Sequence, residues 1–161
     1  MKYISKKASQ ISFPLGGIGT GCIGLSGNGS LIDVEIKNRP NKNSTAEFTH
    51  FAVKAETEHE VLDARVLQGD YPKDYIGCTE RPLYTGYGFG PDRGTMAGFP
   101  HFEKVTFKGE FPIAQLQFKH AHFPGEITME AFNPFIPTNE DDSSIPAAFF
   151  KVQIKNTTEK A

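Results

Sequence analysis

The chain has no tryptophan and only two cysteines, Cys22 and Cys78, among its 161 residues. The cysteines form no C-x-x-C pair, which excludes a disulfide framework and a thiolate zinc site and leaves buried free thiols as the reading. Long apolar runs are also missing. None approaches the ~20 residues of a membrane span, and the opening MKYISKKASQISF lacks the apolar centre of a secretory signal. A cytoplasmic location is therefore expected, and the Asn-x-Ser/Thr triplets at Asn28, Asn43 and Asn156 are read as chance matches. The formal net charge is only −2, with acids and bases interspersed, so no field favours nucleic acid or an anionic membrane surface. Nucleophile elbows, HExxH, P-loops and recognisable Cys/His pairs are absent, so neither a cofactor nor a metal is expected.

Turn formers and strand formers dominate what is present. Sixteen Gly and 11 Pro favour many turns over long helices, and 14 Phe with five Tyr supply core bulk. Period-two alternation predicts strands at residues 30–36, 48–55, 61–67, 101–107, 113–118, 126–132 and 147–154. In the last of these, Phe150, Val152 and Ile154 share a face that should pack, while Lys151, Gln153 and Lys155 stay wet. Residues 106–112 read as a tight hairpin, with Gly109 supplying a positive φ and Pro112 ending the ladder. The fold class expected is all-β, an antiparallel β-sandwich, with residues 1–161 forming one domain. Residues 69–100 break the pattern, and a stretch this long is expected to be functional or ordered by a partner.

Several motifs invite chemical readings. A formal GxGxxG runs from Gly19 to Gly24, but a dinucleotide fingerprint needs a strand before it and a helix after it. Here Ser12-Phe13-Pro14 precedes and turn residues followed by a strand come next, so a glycine-rich strand or bulge beside a closely approaching backbone is expected. Asp33 and Glu35 alternate along one strand face, the carboxylate pairing that glycoside hydrolysis uses, yet nothing in the sequence buries either acid to raise its pKa. His120 and His122 share a strand face without a third ligand. Asn133-Pro134-Phe135-Ile136-Pro137 and Asp142-Ser143-Ser144-Ile145-Pro146 read as a rigid crossing between strands, Asn133 being a turn residue and Asp142 or Ser143 satisfying backbone amides.

Read in order, FPLGGIGTGCIGLSGNGSLIDVEIKNRPNK, PHFEKVTFKGEFPIAQLQF and MEAFNPFIPTNEDDSSIPAAFFKVQIKN resemble the N-terminal domain of glycoside hydrolase family 116, whose members include non-lysosomal glucosylceramidases, or bile-acid β-glucosidases, and microbial β-glucosidases. The resemblance implies a retaining β-glucosidase with an N-terminal β-sandwich followed by a helical domain carrying both catalytic carboxylates. That domain's motifs are not in this sequence, so no catalytic residue is carried over, and the chain is expected to be a portion of a larger sandwich domain. Where family members commonly have Asp-Trp-Glu-Ile-Phe-Asn-Arg-Pro, this chain has Val34 and Lys37 in place of the two aromatics.

Three functions follow as alternatives. The first is an accessory domain that packs on and shapes the cleft of a helical β-glucosidase or glucosylceramidase domain, inactive alone and meeting the β-glucoside through that partner. The second is a stand-alone carbohydrate-binding module presenting Tyr84, Tyr87 and Phe89 to a sugar. The third is a small hydrolase using Asp33 and Glu35. The candidate domain-interface or sugar-facing residues are Arg39, Tyr87, Asp92 and Arg93, with the loop at residues 86–100 as the expected contact surface.

Overall fold

The computed structural model describes residues 2–8, 10–37, 39–42, 44–46, 48–70 and 96–159. It is about 50% strand and 5% helix, with antiparallel sheets that form a sandwich-like all-β fold. Among these residues ten strands are seen: β1 Lys2–Ile4, β2 Ser12–Leu15, β3 Gly21–Ser26, β4 Leu31–Ile36, β5 Ala52–Glu56, β6 Val61–Val66, β7 Lys104–Glu110, β8 Ile113–Lys119, β9 Gly125–Phe132 and β10 Phe149–Asn156. Among the described residues a 3-10 turn spans Ser5–Ala8 and one short α-helix, α1, spans Glu140–Ser143. The large sheet has the order β1-β7-β8-β9-β10, and two smaller sheets, β2-β3-β4 and β5-β6, complete the set.

Alternation in the large sheet decides where the core lies. Val105 and Phe107 from β7, Ala114, Leu116 and Phe118 from β8, and Ile127, Met129 and Ala131 from β9 all point to one face and are buried. Leu15, Leu25, Leu31 and Val53 of the smaller sheets join the same cluster. Phe102, which precedes β7, lies at the centre with no exposed surface. Its ring stands 5.5 Å from both Phe118 and Phe123, spacings at which tilted and edge-on aromatic pairs attract.

The structure departs from the sequence reading in definite ways. The hairpin between β7 and β8 turns at Phe111-Pro112, joined by a cis peptide bond. Gly109 stays in the ladder opposite Ala114. Proline, lacking an N–H, ends the pairing there without help from a positive-φ glycine. β10 differs more. Beyond Phe150, whose ring meets Phe51 at 4.9 Å, the opposing layer gives little cover, and Val152 and Ile154 remain 38% and 56% exposed. The expectation of a packed β10 face holds only at Phe150, because nothing among the described residues of the opposing layer covers Val152 and Ile154. β1, β2 and β3 were missing from the alternation reading, since β1 is three residues long and β2 and β3 carry Pro14, Gly21 and Gly24.

Candidate functional site

β2, β3 and β4 form a small sheet in which the glycine-rich motif is mostly strand. β2 leads into it, and β3 follows instead of a helix, so no helix N-terminus is available to receive a phosphate. Gly21 has φ +95°, and a Cβ there would collide with the carbonyl oxygen of Glu35. Cys22 pairs with Glu35 and Gly24 with Ile32, so Asp33 and Val34 together oppose Ile23 in a bulge. The bulge breaks the expected alternation of Asp33 and Glu35.

Both acids are engaged. The buried Asp33 adopts φ 47° and accepts from Ser12 Oγ at 2.7 Å. Glu35 accepts from Lys42 Nζ at 2.8 Å and from the Asn41 amide at 3.2 Å. Cys22 Sγ adds a contact at 3.5 Å. The Lys42 hydrogen bond, followed by that from Asn41, holds the Glu35 carboxyl below its ordinary value, and the same bond raises Lys42. Burial and the neighbouring Glu35 push the Cys22 thiol up. Asn41 Nδ2 also donates to Val34 O at 3.1 Å, closing the 36–42 loop onto the strand. A carboxylate kept ionised by a lysine is a poor general acid, because that role needs the proton retained near neutral pH.

Arg39 lies exposed in this loop, its amide 3.4 Å from Ile36 O. Tyr84, Tyr87, Phe89, Asp92, Arg93, Cys78 and Asn43 lie outside the described residues. At the described end of the 86–100 loop, Met96 is buried and Phe99 exposed, with Pro100 O accepting from Val66 N at 3.0 Å.

A second group of residues meets at one end of the sandwich. Asn133, buried just past β9, accepts from Gly16 N and donates to Pro14 O, each at 2.7 Å. Ser143, the last residue of α1, accepts from Ile136 N at 2.9 Å and donates to Ile136 O at 3.0 Å. Its own carbonyl takes Ile18 N at 2.9 Å. The backbone-amide cap of α1 is Asn139, which accepts from Asp142 N at 3.1 Å. The Asp142 carboxylate instead accepts from Asn139 Nδ2 at 2.7 Å. These bonds tie the glycine turn to the 133–143 crossing, and between them runs a cleft of about 160 Å³ lined by Leu15, Gly17, Cys22, Phe111, Phe135 and their neighbours. Phe111 and Phe135 lie edge to face at 5.4 Å and are 55% and 43% exposed. The sequence reading did not single out either ring. An apolar residue beside a turn proline, where a polar one would cost nothing, was the available signal.

His120 and His122 lie past the end of β8 and not on a strand face. His120 faces Glu103 at 3.6 Å, and its Nδ1 accepts from His122 N at 3.2 Å. Among the described residues no three His, Cys, Asp or Glu side chains gather as a metal site. The outer face of the large sheet is polar. Register places Lys108, Gln115, Glu130 and Lys151 in one row and Thr106, Gln117, Thr128 and Gln153 in the next. Gln115 donates to Glu130 at 2.9 Å. A shallow groove of about 320 Å³ crosses these rows. No helix among the described residues is long and apolar enough to cross a membrane.

Residues 12–161 match the family described as beta-glucosidase 2, glycosyl-hydrolase family 116 N-term. No curated protein matches the chain.

Proposed function

The chain belongs to the N-terminal domain of glycosyl-hydrolase family 116, and on that premise we propose that it packs on a helical β-glucosidase domain, helps shape that domain's cleft, and supplies no catalytic group itself. The observation that carries this reading is the state of its acidic pair. Asp33 is tied to Ser12 in the β3–β4 bulge, and Glu35 is held ionised by Lys42 and Asn41 and so is unsuited to the general-acid role that turnover needs beside a nucleophile. The substrate class is then a β-glucoside, bound by the partner domain. The test is twofold. The 161-residue chain alone should release no nitrophenol from an aryl β-glucoside, and it should bind the separately prepared helical portion of a family 116 β-glucosidase. Turnover by the chain that disappears in Glu35→Gln would overturn the reading.

A second reading, a carbohydrate-binding module, draws on the groove of the outer sheet face, where Thr106, Gln117 and Thr128 offer hydrogen-bonding groups of both kinds. The stacked Phe132 and Phe149 rings, 5.1 Å apart, end one row of that face. Titration with cellobiose discriminates: saturable shifts at Gln117 and Thr128 amides support this reading, and their absence removes it.

A further inference from the structure

We propose that the cleft between the Gly16-Gly17 turn and the 133–143 crossing is a socket for one apolar side chain of the helical domain, carried on a segment flanked by lysine or arginine; this deepens the accessory-domain reading and rests on it. The shape of the site is the first argument. Its walls are backbone and aromatic rings, and its volume of about 160 Å³ suits a single leucine- or phenylalanine-sized side chain. Of its lining residues Ile18, Phe111 and Phe135 are each between 43% and 57% exposed. A contiguous apolar patch of this kind on a water-soluble face marks an interaction surface. One end of the cleft is closed by fixed backbone. A Cβ at Gly17 would sit 2.5 Å from Ser144 and Ile145 backbone atoms, so the turn already packs as close to the crossing as chains can.

Charge selects the occupant. No lysine or arginine occurs between Lys7 and Lys37, or between Lys119 and Lys151, the two stretches that supply most of the walls. On the crossing, α1 carries Glu140, Asp141 and Asp142 with no basic residue in its last turn. Glu140 and Asp141 are exposed and form no ion pair among the described residues. Glu110 stands next to Phe111 at the hairpin end. A partner presenting an apolar anchor inside a basic rim satisfies both features. A sugar does not, because the cleft offers few hydrogen-bonding groups to hydroxyls. A second copy of this chain would bring like charge to like charge.

The test is titration of the 161-residue chain with the helical portion of a family 116 β-glucosidase at low and high salt. Phe135→Ser should weaken binding at least tenfold. The paired Glu140→Gln and Asp141→Asn variant, confined to exposed positions, should weaken it several-fold at low salt and flatten its salt dependence. Ile154→Thr, on the open β10 edge, should leave it unchanged. Binding of the wild-type chain that Phe135→Ser and the paired variant leave intact overturns the socket while the accessory-domain reading stands. Equal loss in Ile154→Thr likewise moves the interface to β10. Failure of the wild-type chain to bind overturns the accessory-domain reading itself.

Discussion

Asn133 and Gly16, 117 residues apart in the chain, are joined by a 2.7 Å hydrogen bond from the Gly16 amide to the Asn133 side-chain oxygen. The Asn133 side-chain nitrogen, Nδ2, donates to Pro14 O at 2.7 Å. One buried side chain thus replaces the strand that neither backbone group has beside it. Leaving a buried donor or acceptor unpaired costs about 1–3 kcal/mol each. Asn133→Ala should therefore destabilise by about 2–4 kcal/mol in urea unfolding. Asn133→Asp, which keeps the acceptor but loses the donor to Pro14, should also destabilise. Asn133→Ala unfolding at the wild-type midpoint would show that the tie contributes nothing.

Gly17 sits where even a methyl group meets fixed backbone, with Ser144 and Ile145 atoms 2.5 Å from the Cβ position. Overpacking of this sort costs about 1–3 kcal/mol or more. Gly17→Ala should lower the melting temperature, whereas Gly19→Ala meets no steric obstacle and differs only through its φ of +73°. The comparison separates collision from backbone strain.

The Glu35–Lys42 pair gives a pH signature with two sides. Glu35 is held below its ordinary value of about 4.3, so the stability it adds is present above that pH and is lost as pH falls through the lower folded value. Lys42 is raised above about 10.4; its contribution is present below that pH and is lost as pH rises through the higher folded value. Cys22, also raised, makes the folded state hold its proton where the unfolded chain has lost it, so stability declines above about 8.5. Glu35→Gln should flatten the acid limb of the unfolding free energy against pH, and Cys22→Ser part of the alkaline limb. Unchanged slopes in both variants would contradict these assignments.

Arg65 pins β6 to the segment entering β7. Its Nε donates to Asp63 at 2.7 Å and its Nη1 to His101 O at 2.6 Å, with both side chains largely covered. Charge-assisted bonds in such a setting are worth about 1.5–3 kcal/mol. Arg65→Ala should destabilise by roughly that amount, and Arg65→Lys, which has no planar fork, should recover only part of it. Amide exchange at Val66, whose N–H bonds Pro100 O, reports the loosening directly.

Legibility followed the physics of each element. Strands with clear alternation, such as Ile113 to Lys119, read well because Ala114, Leu116 and Phe118 face the core at every second position. β2 did not, because Pro14 and the glycines after it carry turn signals, and only pairing with β3 makes them a strand. The hairpin was placed correctly in outline but at the wrong residue, since a glycine that permits a turn need not make one. The acidic pair was visible as a spacing, whereas the bulge that separates it depends on register.

By itself the sequence determined the fold class and the family, because alternation, turn chemistry and ordered motif blocks are local properties. Tertiary structure alone decided which groups meet. Asn133 with Gly16, Glu35 with Lys42, and Phe111 with Phe135 are contacts across bulges, loops and sheet ends. Their partners are set by how sheets stack and where register shifts. It also decided that Val152 and Ile154 stay uncovered, because burial depends on what lies across from a strand and not on the strand's own alternation.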